Sequence, residues 1–486
     1  VQPDSTPEPS GLRSTRLDRP FCVLAWVGIL LITGLAILGQ SIRVEEATEG
    51  ESPDLTLTLR LAEIQAKYFV GTGSLAAKTG DAPDEQLLDA AKTLDAGPVA
   101  QRLRALALVS DLGGPGAGLR SAEELRRLIE RHQVQLSPED VRTFEAIEAT
   151  LLKRQAEGPA TEPDVETADL LRRQLGWFGD LLLTPAQGDS AAREALVRPT
   201  QLLVVGVVVL IVGVVALGIA GAIGAVLLLI FGITGHWRAH LTTGRPRGTV
   251  YAETFAVWFL LFLVLSIVAS LLPRELAPIA GGLAMLASLS ALAWPIARGI
   301  PFAEMRRDVG LHRGRGFIIE AASGIAAYAM ALPLVAVGLT IMFGLMALAG
   351  VSMAGGAGEF DVSATPTHPL LEWMGGSMAN KLLALVLAAA IAPLVEEVVF
   401  RGVLYRHLRE GTRRLGAVLS AAASMLLVGL IFAAIHPQGV FAIPVLTALA
   451  CGFAFAREWR DSLIGPMVAH SINNGAVVCL LMLAFA

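Results

Sequence analysis

Three short clusters after residue 390 hold the groups in this chain best suited to move protons. The first is Glu396-Glu397-Val398-Val399-Phe400-Arg401-Gly402, two adjacent carboxylates ending a long apolar run. The second is Phe432-Ala433-Ala434-Ile435-His436, a histidine that closes an apolar stretch ahead of Pro437. The third is His470-Ser471-Ile472-Asn473-Asn474. A carboxylate can act as a base toward water, an imidazole can orient water, and an amide N–H can hold a developing oxyanion. One carboxylate, two imidazoles and an amide on nearby spans are together a set for hydrolysis.

Helical geometry sorts the roles within each cluster. Neighbouring residues on a helix point about 100° apart, so Glu396 and Glu397 cannot do the same job. Glu397 and Arg401 stand i,i+4 and can pair, which leaves Glu396 on another face, free for chemistry. His470 and Asn474 share one face. Each cluster alone also has a plainer reading: an interfacial Glu–Arg ion pair, a helix-terminal histidine, a polar helix–helix contact. Charged and polar groups at membrane depth are costly and usually functional, and the three clusters together favour chemistry.

The elements that must position these groups are apolar. The 486 residues are 54% hydrophobic and 17% charged, against about a quarter charged in ordinary soluble domains. From Thr200 onward the chain is apolar runs separated by short arginine-bearing loops, whereas Arg43 to Arg198 reads as polar and charged. The expected fold class is all-α: a polytopic transmembrane helix bundle with an N-terminal anchor helix and a helical extramembrane domain. The expected division is a polar tail (1–20), an anchor (21–42), a helical extramembrane domain (43–198), transmembrane helices (199–350), an extracytoplasmic loop (351–377) and a catalytic transmembrane core (378–486). Spans beyond the anchor are expected near 201–231, 252–272, 278–297, 317–348, 378–400, 416–436, 439–456 and 463–485; the first and fourth exceed what one span needs and so tilt or extend past the bilayer.

The first apolar run, Phe21 to Gly39, follows Arg13, Arg16 and Arg19 and competes with a signal peptide; no small-x-small cleavage site follows it, so an uncleaved anchor is preferred. In the polar segment Leu87, Leu88, Ala91 and Leu94, and later Leu125, Leu128 and Ile129, recur at helical spacing, with Gly113-Gly114-Pro115-Gly116 as a break.

Arginine placement orients the spans. Arg238, Arg245 and Arg247, then Arg298, Arg306, Arg307, Arg313 and Arg315, then Arg401, Arg406, Arg409, Arg413 and Arg414, and finally Arg457 and Arg460 fall in alternate loops. The stretch 349–377 has no Lys or Arg but holds Glu359, Asp361 and Glu372. By the positive-inside rule the N-terminal tail is cytoplasmic, and the helical domain and the C-terminus are outside; Arg274 is the exception.

Several classes fall away. A net charge of −5 and the lack of a basic tract with interleaved aromatics leave no nucleic-acid role. Cys22, Cys451 and Cys479 lie in apolar stretches and read as small buried residues. There is no HExxH of a zincin. A membrane transporter lacks the expected inverted repeat and paired broken helices, but it stays as an alternative, as does a catalytically inactive scaffold.

The order EExxxR, FxxxH, HxxxN resembles the CAAX-processing (type II CAAX prenyl endopeptidase, CPBP or Abi) family, and Phe400, Gly402 and Leu404 extend the match to EExxFRGxL. The likeness covers about 378–486. It implies a membrane-embedded endopeptidase of packed helices in which Glu396 is the base, His436, His470 and Asn474 orient water or stabilise the oxyanion, and Glu397, Arg401 and Phe432 hold the structure. It implies a peptide or membrane-protein substrate and a bilayer, in the cytoplasmic membrane of a prokaryote. No cofactor is expected. Zinc is the alternative, with Glu396, His436 and His470 as its ligands; against it, an amide such as Asn474 is a poor ligand, and Glu397, matched to Arg401, leaves no carboxylate behind either imidazole. On straight spans, Glu396 near the inner end of its helix and His436 near the outer end of the next would differ in depth by more than roughly 10 Å. A span that starts later than 378, or helices that tilt and run past the bilayer, would bring them together, and a kink at Pro393 would help.

Overall fold

In lipid an apolar run can satisfy its backbone only by hydrogen bonds to itself, so long apolar segments become helices. A computed structural model describes residues 18–46, 53–79, 85–158, 161–186, 191–236, 241, 246–273, 276–349, 360, 373–374 and 376–484. Among the described residues there is no strand, and the helices long and apolar enough to cross a bilayer are Pro20–Leu38, Ala191–Ile233, Val250–Ser270, Ala277–Ala297, Phe317–Leu348, Met378–Gly411, Ala417–Ala434, Val440–Arg460 and Ile464–Leu483. The chain is a multi-pass integral membrane protein. The polar tail before residue 18, Arg238, Arg245, Arg274 and most of the 351–377 loop, with Glu359, Asp361 and Glu372, lie outside the described residues.

Two helices depart from their expected bounds. The 43-residue helix Ala191–Ile233 starts ahead of 201. At about 1.5 Å per residue it runs roughly 65 Å, twice a bilayer core. Its first turns therefore belong to the extramembrane part. Val197, Thr200 and Val204 are buried there, and a Cβ added at Gly71 of the Pro53–Thr79 helix would come within 2.4 Å of the Thr200 carbonyl oxygen. The helix passes unbroken through 198–199, where the sequence reading divides the chain. The helix Met378–Gly411 likewise runs on past 400.

The segment before Ala191 packs short helices, among them Glu85–Lys92, Val99–Gly113, Pro115–His132, Pro138–Glu157 and Trp177–Leu183. Its core holds Leu106, Leu108, Leu125, Ile147 and Phe178. Gly114, at φ 79°, makes the break between two of them, a conformation with little steric cost for glycine alone. Ser137 caps the Pro138–Glu157 helix by accepting from the Asp140 N–H at 3.1 Å. Phe360, from the 349–377 stretch, packs here: its ring lies 4.7 Å from the Arg102 guanidinium and 5.9 Å from the His132 ring. That contact puts the two segments on the same side of the spans, as the arginine alternation requires.

Within the bundle, Phe317–Leu348 is a central helix, and small residues let its neighbours approach. A Cβ at Gly221 would meet the Ala329 carbonyl at 1.9 Å, one at Gly324 the Gly465 carbonyl at 2.3 Å, and one at Gly338 the Val445 Cα at 2.8 Å. Small residues drive helix contact in lipid, where apolar surface alone gives no advantage. At the arginine-rich end the charges are paired. Asp308 accepts from Arg247 Nε at 2.7 Å and Tyr251 Oη at 2.9 Å, and meets Arg406 at 3.1 Å. Glu458 accepts from Arg409 at 2.8 and 2.9 Å and from Tyr405 Oη at 2.7 Å. Glu320 accepts from Arg460 at 2.8 and 3.1 Å. Arginines read from sequence as loop charges thus tie the spans together.

Candidate active site

The longer Met378–Gly411 helix removes the mismatch in depth. Glu396 lies 15 residues before Gly411, and His436 lies 19 after Ala417 on the adjoining helix (411 − 396 and 436 − 417). At about 1.5 Å per residue both sit within roughly a turn of the same level. The helix also departs from α-geometry in two π-wound stretches, Leu387–Ile391 and Glu397–Leu404. Such turns change the direction of successive side chains and are frequent at functional sites. Pro393 lies between them, so its effect here is a change of winding.

Glu396 Oε2 is 3.8 Å from His436 Nε2 and 3.7 Å from His470 Nε2. The other ring nitrogens are held from behind. His436 Nδ1 lies 2.5 Å from the Phe432 carbonyl oxygen, and His470 Nδ1 lies 2.8 Å from Glu397 Oε1. Both partners are acceptors, so each Nδ1 carries the hydrogen, and Nε2 is the nitrogen that each ring turns toward Glu396. With neutral rings the two Nε2 atoms and the Glu396 carboxylate are all acceptors, and a water between them would supply the donors.

Arg401 fixes the carboxylate behind His470. Its Nη1 donates to Glu397 Oε1 at 3.0 Å and its Nη2 to the Ala450 carbonyl at 3.1 Å. The guanidinium lies 4.7 Å from the Phe432 ring and 5.3 Å from the Phe453 ring, while Phe453 stacks on His470 with centroids 4.8 Å apart. Glu397 and Arg401 are fully buried, but the Glu396 side chain keeps 14% exposure and His436 18%, so these two form the part water can reach. The expectation that Glu397 serves Arg401 alone, leaving no carboxylate behind an imidazole, is corrected: one Glu397 oxygen takes both partners.

Asn474 is placed farther along the His470 face. Its Nδ2 donates to the Ala388 carbonyl at 3.0 Å and its Oδ1 accepts from Asn473 Nδ2 at 3.1 Å. Thus Glu396, Glu397, Arg401, Phe432, His436 and His470 form one contact network, with Asn474 at its margin. The sequence reading did not single out Phe453 or Tyr328, whose hydroxyl lies 3.2 Å from Asn473 Oδ1. A tyrosine inside an apolar span was the available signal, because a buried hydroxyl requires a partner.

Among the described residues no three His, Cys, Asp or Glu side chains gather as a metal site needs. The Oε2–Nε2 separations of 3.8 and 3.7 Å exceed the about 3.4 Å expected between tetrahedral zinc ligands.

The type II CAAX prenyl endopeptidase Rce1-like family matches residues 378–476, the stretch holding all of these clusters except Tyr328. The chain is 34% identical over 96 residues to the membrane-embedded CAAX protease MroQ of Staphylococcus aureus (strain USA300), a match over 19% of this chain and 37% of that relative. The chain thus spans little more than a third of that relative's length. No solved structure matches. Residues 378–476, which hold the Glu396, His436 and His470 clusters, are thus similar to type II CAAX prenyl endopeptidases of the Rce1-like family.

Proposed function

We propose that the protein is an intramembrane endopeptidase that hydrolyses a peptide bond by a Glu396-activated water, without a metal. The observation carrying this reading is the convergence of His436 Nε2 and His470 Nε2 on Glu396 Oε2 at 3.8 and 3.7 Å. A water in that space donates one hydrogen to Glu396 and the other to an imidazole Nε2. Glu396 takes the first proton as the water oxygen bonds to the scissile carbonyl carbon. The negative charge moves to the carbonyl oxygen, where the Asn474 N–H not used on Ala388 can donate. Collapse breaks the C–N bond, and Glu396 returns its proton to the leaving amine. His436 and His470 orient the water; Glu397, held by Arg401, fixes the His470 ring. Preorganised groups of this kind need no rearrangement as charge develops.

The substrate is a peptide or membrane protein cleaved at or near the bilayer. The test is a proteomic comparison of membranes carrying the native chain with membranes carrying Glu396→Gln. New termini that need Glu396 support the reading. Identical termini in both would leave an inactive scaffold or a transporter.

A further inference from the structure

The helix Phe317–Leu348 lies outside the 378–476 stretch that the family covers, yet it reaches the site through one hydroxyl. Tyr328 Oη donates to Asn473 Oδ1 at 3.2 Å, Asn473 Nδ2 donates to Asn474 Oδ1 at 3.1 Å, and Asn474 Nδ2 donates to the Ala388 carbonyl at 3.0 Å. A carboxamide has an acceptor end and a donor end, so each link in this chain dictates the rotation of the next. The tyrosine hydroxyl sets the oxygen side of Asn473, and Asn473 sets the oxygen side of Asn474.

The far end of the chain demands the same orientation. In an α-helix the Ala388 carbonyl would accept from the Ala392 N–H, but that group bonds to the Leu387 carbonyl in the π-wound turn. The next residue, Pro393, has no N–H to offer. The Ala388 carbonyl is therefore left to a side chain, and a carbonyl at this depth without a donor is costly. It draws the NH2 end of Asn474 while Asn473 draws the oxygen end. The whole chain has three asparagines, Asn380, Asn473 and Asn474, and two of them are spent here.

The backbone holds the donor at a fixed distance. Tyr328 lies one turn after Gly324, where the helices meet so closely that an added Cβ would be 2.3 Å from the Gly465 carbonyl. We infer that Tyr328 is a positioning residue for Asn474: through Asn473 it locks the amide so that the N–H not spent on Ala388 is presented to the reacting carbonyl. The inference rests on the hydrolytic reading above, and Tyr328 itself touches no reacting atom.

Asparagine-selective 15N labelling of the full chain in nanodiscs gives side-chain amide signals from those three residues only. In Tyr328→Phe the Asn473 and Asn474 pairs should shift while Asn380 stays. With a quenched peptide selected for Glu396-dependent cleavage, kcat should fall about tenfold with KM unchanged, less than the loss of a whole oxyanion donor. Should Tyr328→Phe lower the melting point by more than a few degrees, Asn473→Ala reads the same relay one link later, with a shifted Asn474 pair and the same kcat loss. An unmoved Asn474 pair overturns the inference, as does a moved pair with unchanged kcat. If no peptide shows Glu396-dependent cleavage, the hydrolytic reading fails and the catalytic use of the relay fails with it. The spectra then still report whether Tyr328 orients the two amides.

Discussion

Glu397 Oε1 lies 2.8 Å from His470 Nδ1, so the residue next to Glu396 in sequence holds the imidazole that Glu396 faces from its other nitrogen. On a straight α-helix two neighbours would diverge by about 100°. Here the winding changes at Glu397, where the π-wound stretch Glu397–Leu404 begins, and both carboxylates reach the same ring.

That relationship separates two variants. Glu396→Gln should melt near the native temperature and lose Glu396-dependent cleavage. Glu397→Gln leaves Arg401, fully buried, without its counter-ion. Breaking a buried pair costs about 3–5 kcal/mol, so this variant should melt well below the native protein. It should also lose at least about tenfold in cleavage per folded molecule, because the His470 ring is freed. Melting curves and turnover measured on the same folded fraction decide it. Native turnover in Glu397→Gln would reduce Glu397 to a scaffold.

A reporter fused near residue 120 should behave as exported. Two observations lead there. Arginines cluster in alternate loops, and Phe360, from a stretch without Lys or Arg, packs on Arg102 and His132 of the helical segment. An alkaline phosphatase fusion active at that site is the expected result; a fusion active only as a cytoplasmic reporter would invert the topology.

The sequence made the spans legible because apolar length is a direct physical requirement of the bilayer. It also made the i,i+4 pair Glu397–Arg401 legible, found at 3.0 Å. The winding of Met378–Gly411 was not legible, since a π-turn leaves no pattern in an apolar run beyond Pro393. Nor were contacts between helices remote in sequence: Phe453 on His470 and Tyr328 on Asn473 depend on which faces meet. Two helices run past the bounds at 198 and 400 for one reason. Hydropathy marks where lipid ends, whereas the helices Ala191–Ile233 and Met378–Gly411 continue beyond it, the first against Gly71 and the second through Arg406 and Arg409.

Gly324→Leu should act as a wedge. Even its Cβ would fall 2.3 Å from the Gly465 carbonyl, a backbone atom that cannot swing aside. Separating Phe317–Leu348 from Ile464–Ala484 moves Tyr328 from Asn473 and disturbs the helix carrying His470. We expect a melting point lowered by several degrees and loss of cleavage. Gly28→Leu, where nothing lies within 4 Å of an added Cβ, should leave both unchanged and serves as the control. Equal behaviour of the two variants would show that the Gly324 contact does not set the packing.

Asp95, in the extramembrane segment, gives a pH signature. Burial pushes its carboxyl up from 3.8 to about 6, with Glu124 adding and Arg102 opposing. The folded form therefore holds the proton more tightly than the unfolded chain. Its contribution to stability is full below about pH 4 and is lost as pH rises through about 6. Asp95→Asn should flatten that part of the profile, while its effect at fixed pH also carries the loss of the Arg102 ion pair. Melting of the full chain from pH 4 to 8 checks it, and a native profile already flat across pH 4–6 would remove Asp95 as the cause.

Metal content is the sharpest test of the proposed chemistry. The observation in favour of zinc is that both imidazoles have Nδ1 engaged, His436 by the Phe432 carbonyl and His470 by Glu397, which is how zinc-binding histidines are usually oriented. Against it stands the spacing. Glu396 Oε2 is 3.8 and 3.7 Å from the two Nε2 atoms, wider than a tetrahedral ion would draw them. Water meets the same need differently, since it has two hydrogens to give to these acceptors. Purified active protein should thus carry well under one zinc per chain and keep its turnover through a chelator titration. Stoichiometric zinc that is lost with activity on chelation, and whose return restores it, would make Glu396 a ligand and replace the Glu-activated water. A fall in activity without a change in metal content would instead mean that the chelator acts on the detergent or the substrate, which a metal-saturated chelator control separates.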